Sequence, residues 1–117
     1  RMPTMPSVSM SPGAANAVKM AGIFLMASAV QSLREALSLA EAAGGDRQQF
    51  IDIVTTALFP TSFYQRFGSL LAAQGGNAPA LNPFANSARL IAQTSQELSV
   101  ATPLADALAG ALEHPIT

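Results

Sequence analysis

Residues 11–46, "SPGAANAVKMAGIFLMASAVQSLREALSLAEAAGGD", decide the fold of this 117-residue chain. Ser11 followed by Pro12 is a helix opening: a hydroxyl that can cap the first free amides, then a proline at the first helical position, where no amide hydrogen is needed. No proline intervenes from there to Ala43, alanine and leucine dominate, and Gly44 with Gly45 supplies the stop. The stretch therefore predicts one helix of about 31 residues, on the order of 46 Å long at 1.5 Å per residue. Few small domains contain a helix of that length.

Charge is distributed unevenly along this helix. Residues 20–33 carry none, and Lys19 stands at the edge of that run. Between Met20 and Val30 the helix is apolar on every side, which is the pattern of a helix enclosed by protein. The second half returns to amphipathic spacing, with Leu33, Leu37 and Ala40 on one side, and Arg34 beside Glu35 reads as a solvated stripe. The expectation is a long, largely buried axle.

Working outward, Pro3, Pro6 and Pro12 make the first dozen residues extended or irregular, with room for one short strand at Val8. Asp46 followed by Gln49 is a capping-box pattern. Phe50, Ile51, Ile53, Val54, Ala57 and Leu58 then form a wide apolar helical face that ends at Pro60. A third helix starts at Thr61 or Ser62 and buries Phe63, Phe67, Leu70 and Leu71. "GGNAPALNP" is the one long loop. A fourth helix opens at Asn82 and Pro83 and runs to about Ala101, and a fifth opens at Thr102 and Pro103 and fades near Glu113. With no convincing β-hairpin, the fold class is all-α: about five helices packed around one long one. Residues 1–11 read as a linker or residual segment and 12–117 as the helical domain.

Composition removes several classes of function. Six Lys plus Arg against seven Asp plus Glu leave no basic stripe to track phosphates, so nucleic acid is not an expected partner. A bilayer is not expected either, because the charge-free run is 14 residues and includes Ser28, Gln31 and Ser32, whereas a span needs about 20 apolar residues. The chain has no cysteine and so no thiolate or redox signal. It also lacks a Gly-x-Gly-x-x-Gly motif after a strand, so it holds no nucleotide-binding βαβ unit of its own. Charged residues make up 11% of the chain, far below the roughly 25% of an ordinary domain, so something beyond its own fold is expected to cover its surface.

Read chemically, Lys19 is the leading candidate. An ammonium walled by apolar groups loses hydration of its charged form, its pKa falls, and it can pass a proton to a carbonyl oxygen and recover it. The competing reading is a lysine that snorkels its ammonium to solvent past Val18 and Met20. His114 stands alone near the C-terminus with no partner at ligand spacing, so no metal is expected. Ser28 and Ser32 lie one turn apart and lack an activating histidine, so packing or back-bonding to a carbonyl is the expected role. Phe59, Phe63, Tyr64 and Phe67 either line a pocket or pack in the core.

The order of signals resembles the C-terminal helical domain of the β-hydroxyacid dehydrogenases, the group of 3-hydroxyisobutyrate dehydrogenase, the semialdehyde and imine reductases and, more distantly, 6-phosphogluconate dehydrogenase. The resemblance is carried by residues 12–46, by "LFPTSFYQRFGSLLA" and by a last helix pair closing on "ATPLADAL", and it covers roughly residues 9–112. It implies that Lys19 matches the lysine of the family's Lys-x-x-x-Asn motif, the general acid/base at the substrate carbonyl. Gly13 and Gly22 match the glycines around it, on the substrate wall. It also implies a preceding Rossmann domain that binds NAD or NADP, a small-molecule substrate in the cleft between the domains, a homodimer and a cytoplasmic location. Hydride transfer is not expected of these 117 residues alone. Two positions depart from the family pattern: Ile23 stands at the motif's asparagine, and Asn86 with Ser87 stands where the family carries a lysine–aspartate pair near the cofactor. Those departures keep a second class open, a helical oligomerisation module without chemistry, and the phenylalanine cluster keeps a third, an apolar-ligand binder.

Overall fold

A computed structural model describes residues 10–115, and among the described residues there are five α-helices and no strand. The short strand expected at Val8 and most of the expected linker lie outside the described residues. The long helix α1 spans Pro12–Ala42, and the Ser11 side chain accepts from the Ala14 amide at 3.2 Å, as the capping pattern predicts. Its end is a complete Schellman turn: the Gly44 amide donates to Glu41, the Gly45 amide donates to Ala40, and Gly44 takes φ +92°. A Cβ on Gly45 would lie 2.8 Å from the Ala40 carbonyl oxygen, so both glycines of the stop are required.

Helix α2 spans Arg47–Ile53, with Asp46 accepting from the Gln49 amide at 2.9 Å. It does not run straight to the proline. Residues Val54–Leu58 widen into a π-helical turn in which the Phe59 amide donates to Val54. Within that region the hydroxyls of Thr55 and Thr56 donate to the carbonyls of Ile51 and Asp52, and the next residue but one after Leu58, Pro60, has no amide to donate. The expected wide apolar face is accordingly divided: Ile51 and Val54 are buried, while Ile53 and Leu58 are exposed.

Helix α3 spans Ser62–Gln74, capped by Thr61, and Gly68 sits where it crosses α2. A Cβ at Gly68 would meet the Thr55 and Ile51 methyl carbons at 2.9 and 3.1 Å. At Gly110, in the last helix, the same atom would meet nothing within 4 Å. The two glycines therefore respond oppositely to alanine. Gly110→Ala stabilises the fold by about 0.5–1 kcal/mol through helix propensity. Gly68→Ala destabilises it by about 1 kcal/mol, because crowding the β-branched Thr55 and Ile51 outweighs the propensity gain. Urea denaturation of the two variants beside the parent checks both signs.

Helix α4 spans Asn82–Glu97 and helix α5 Pro103–Glu113. Helix α4 stops about a turn before the expected Ala101. The Ser99 amide donates to Gln96, the Val100 amide donates to Ser95, and Ser99 adopts φ 57°, so this too is a Schellman stop, made without glycine. Thr102 then ties back through its hydroxyl to the Ser95 hydroxyl at 2.7 Å, fixing the entry to α5. Ser99→Gly relieves the left-handed strain and raises stability by about 0.5–1 kcal/mol, read in the same denaturation experiment.

The five helices enclose two apolar clusters. Val30, Leu33 and Leu37 of α1 pack with Ile51, Val54, Leu71, Ala78 and Leu81, and Ala27 of α1 packs with Ala88 of α4 and Leu108 of α5. Helices α4 and α5 pair along their lengths, and α1 touches α2, α3, α4 and α5. The burial expected along all of α1 is confined to Ala27–Leu37. From Pro12 to Met26 no α1 residue is buried by this chain; Val18 is 59% exposed and Leu25 68%. By length and composition α1 is also apolar enough to cross a membrane, but the Ala27–Leu37 segment is occupied by the other helices of the chain.

Candidate functional site

Lys19 lies on the overhanging half of α1 and is exposed, so the apolar wall expected to desolvate it is not built by this chain. Met20, the next residue, faces the body of the domain: its sulfur accepts from the Thr94 hydroxyl of α4 at 3.6 Å and from the Asn16 amide at 3.5 Å. Lys19 forms no salt bridge; among the described residues the two ion pairs are Arg47 with Glu41 and Arg89 with Glu113. Gly13 and Gly22 are exposed, and a Cβ at either would meet nothing within 4 Å, so neither glycine is demanded by packing inside this chain. The three candidates thus share one helix, with Gly13 about 9 Å along the axis from Lys19, but Gly13 and Gly22, nine residues apart, lie on opposite sides of it. None of them lines the four principal cavities.

Ile23, one turn beyond Lys19, is half-buried. Asn86 is exposed on α4, and its side-chain oxygen accepts from Arg89 at 3.1 Å, while Arg89 also pairs with Glu113 of α5. The cation closest in sequence to Asn86 on its own helix is therefore already engaged. Among the described residues no hydrogen bond joins Asn86 to Lys19.

The residue that sequence reasoning misplaced is Arg34. It is not part of a solvated stripe: it is 4% exposed and acts as a clamp. Its Nε donates to the Gly76 carbonyl at 2.6 Å in the α3–α4 connection, Nη2 donates to the His114 carbonyl at 3.2 Å beyond α5, and Nη1 donates to the Gln31 side chain. Gln31 in turn donates to Glu35 at 2.8 Å, so the carboxylate reaches the guanidinium only through a neutral amide. Burial pushes the Arg34 pKa below its ordinary value and the Glu35 charge opposes that shift. Two cavities, of about 530 and 180 Å³, share Arg34, Gly76 and Asn77 as their wall. The available signal was arginine at a position one turn from Leu37 and Val30 on the buried side, overridden by the adjacent glutamate.

The weaker candidates resolve simply. Ser28 donates to the Phe24 and Leu25 carbonyls and Ser32 to Ala29, which is back-bonding. His114 is exposed, with Nδ1 2.8 Å from the Gly110 carbonyl. Among the described residues no three of His, Cys, Asp and Glu gather into a metal-holding group. Phe63, Tyr64, Phe67 and Phe84 pack against the core in a chain of ring contacts, 5.5, 4.8 and 5.5 Å between successive centroids from Tyr64 through Phe63 and Phe67 to Phe84. Phe59, stacked on Tyr64 at 4.4 Å, is the member left half-exposed. Compared with known protein families, with curated proteins and with solved structures, the chain matches none of them.

Proposed function

We propose that this chain is the substrate-binding and dimerisation domain of an NAD(P)-dependent reductase of the β-hydroxyacid dehydrogenase kind, with Lys19 as its general acid/base. The observation that carries the reading is the placement of Lys19. It is an exposed cation in no salt bridge, on an apolar helix half in which the rest of the chain buries no residue fully. Such a helix half supplies one wall of a cleft and calls for a second body to supply the other. Its chemistry there is proton transfer. The carbonyl or imine carbon receives the hydride, the π electrons move to oxygen or nitrogen, and the Lys19 ammonium gives that atom its proton; the neutral amine takes it back in the oxidative direction.

The dinucleotide has no holder among the described residues, which contain neither a strand nor a glycine-rich phosphate turn. The reading assigns it to a preceding Rossmann domain and assigns Gly13 and Gly22 to the substrate wall. Turnover of small aldehyde acids and cyclic imines by the longer polypeptide, followed as NADH or NADPH consumption, tests this. No consumption with either cofactor across both substrate classes rejects it.

A second reading has its own support. Ile23 offers no hydrogen bond where the motif has asparagine, and Asn86 is engaged by Arg89. A chain that has kept its helices and lost its chemistry fits those two facts, and the same assay separates the readings.

A further inference from the structure

Arg34 is a buried cation with no direct counter-charge. Its bonds to the Gly76 and His114 carbonyls and to the Gln31 amide oxygen all go to neutral acceptors. Among the described residues both ion pairs belong to other arginines, and Glu35 reaches Arg34 only through Gln31. A guanidinium stays charged inside a protein and carries five N–H donors, of which these bonds engage three. Buried charges are ordinarily paired, because the hydration they give up is recovered in full only from an opposite charge.

The same side chain walls a cavity of about 530 Å³ enclosed by the end of α1, the start of α2 and the end of α3. A second guanidinium, Arg47, also lines it. Arg47 donates to Glu41 from Nε and Nη2 at 3.3 and 3.2 Å, so its charge is already matched. The walls therefore hold one positive charge in excess, and it is the one on Arg34.

We propose that this cavity binds a small aliphatic monocarboxylate, held by Arg34 with Arg47 at the edge of the site. Charge sets the class, since one excess positive charge is matched by one negative charge. The Glu41 carboxylate and the carbonyl ends of α1 and α3 lie in the same walls, so a dianion such as phosphate would be repelled by them. Geometry agrees, because a planar carboxylate accepts from the N–H fork of a guanidinium. So does size. The volume is far beyond the roughly 30 Å³ share of one water molecule, and Leu37 and Ala42 supply an apolar side for a short carbon chain. Arg34 lies about 22 Å along α1 from Lys19 at 1.5 Å per residue, so this site is separate from the proposed substrate wall.

Titration of the ¹⁵N-labelled chain with sodium butyrate, followed by NMR with sodium chloride keeping ionic strength constant, tests the proposal. The Arg34 Nε–H signal and the Gly75 and Gly76 amide signals should shift and saturate, with half-saturation below about 10 mM. Butyramide, which has nearly the same shape and no charge, should give no saturating shift, and phosphate should bind at least about tenfold more weakly. Removing Arg34 would unsettle the fold, so the variants spare it. Ala42→Phe, at an exposed position of the cavity wall, should abolish the response by filling the mouth. Arg47→Gln leaves Glu41 unpaired beside the site and should raise the dissociation constant by about tenfold. Circular dichroism confirms that each variant keeps its helices. No saturation by about 100 mM butyrate, an equal response to butyramide, tighter binding of phosphate, or saturation unchanged by Ala42→Phe would each overturn the proposal. Hydride transfer enters none of these measurements, so failure here leaves the function proposed above untouched.

Discussion

Replacing Lys19 with alanine in the longer polypeptide is expected to lower kcat for carbonyl reduction by about 10²–10⁴-fold, with a much smaller change in KM. The split follows from what the side chain does. In the proposed reaction Lys19 gives up its proton as charge develops on the substrate oxygen, an interaction made mainly in the transition state, so its loss would appear in turnover more than in substrate affinity. Lys19→Arg provides the control. A guanidinium keeps the charge and much of the reach but does not release its proton near neutrality, so a general-acid role leaves Lys19→Arg close to Lys19→Ala. A merely electrostatic or solubilising role would let arginine rescue. Because Lys19 is exposed and forms no ion pair within the chain, neither variant should alter the melting temperature by more than a degree or two, which separates chemistry from folding. Equal turnover in parent and Lys19→Ala dismisses the catalytic assignment.

The largest stability effect is expected at Arg34. Arg34→Met fills similar space but leaves the Gly76 and His114 carbonyls and the Gln31 amide oxygen without their donor, at a place where Arg34 itself is 4% exposed. Losing a clamp of that kind costs about 3 kcal/mol, and not the sum of three full bonds, because solvent reaches the loop carbonyls once the side chain retracts. For a domain of this size that is roughly 10 °C in Tm. Arg34→Lys should recover less than half, since one ammonium cannot span a loop, a helix end and a neighbouring side chain at once. Glu35→Gln, one residue away and exposed, should change stability by less than about 0.5 kcal/mol. Thermal and denaturant unfolding of these three variants decides the matter: an Arg34→Met loss no larger than that of Glu35→Gln would show that the clamp is incidental.

Much of the fold is legible in the sequence because it is locally encoded. Ser11, Asp46 and Thr61 are capping residues whose hydrogen bonds close within three residues, Pro12 is pre-set for the first helical position, and Gly44 and Gly45 act through their own backbone. The α4 stop escaped for the complementary reason: Ser99 takes a left-handed conformation that its side chain does not announce, closed by backbone bonds from Ser99 to Gln96 and from Val100 to Ser95. The π-helical turn at Val54–Leu58 is likewise invisible to a periodicity count, which treats the stretch before Pro60 as regular.

The candidate site divides along the same line. Lys19, Gly13 and Gly22 could be named from their order in the chain, and their position on one helix followed from the absence of a breaker. Whether anything encloses them could not be read, because enclosure depends on which helices fold back onto α1 and how far. Those helices bury residues of Ala27–Leu37 and cover the first half of α1 only in part, at Met20 and Phe24, leaving Val18, Lys19 and Gly22 open.

The amino-acid sequence by itself determined the all-α class, the 31-residue opening helix and nearly all of its boundaries, since caps, prolines and apolar spacing act over one or two turns. Only the tertiary structure decided which side of α1 is core and which is left as an apolar strip, and that Arg34 is a buried clamp reaching residues 42 and 80 positions away. Those outcomes depend on contacts between segments distant in the chain, and short-range patterning carries no record of them.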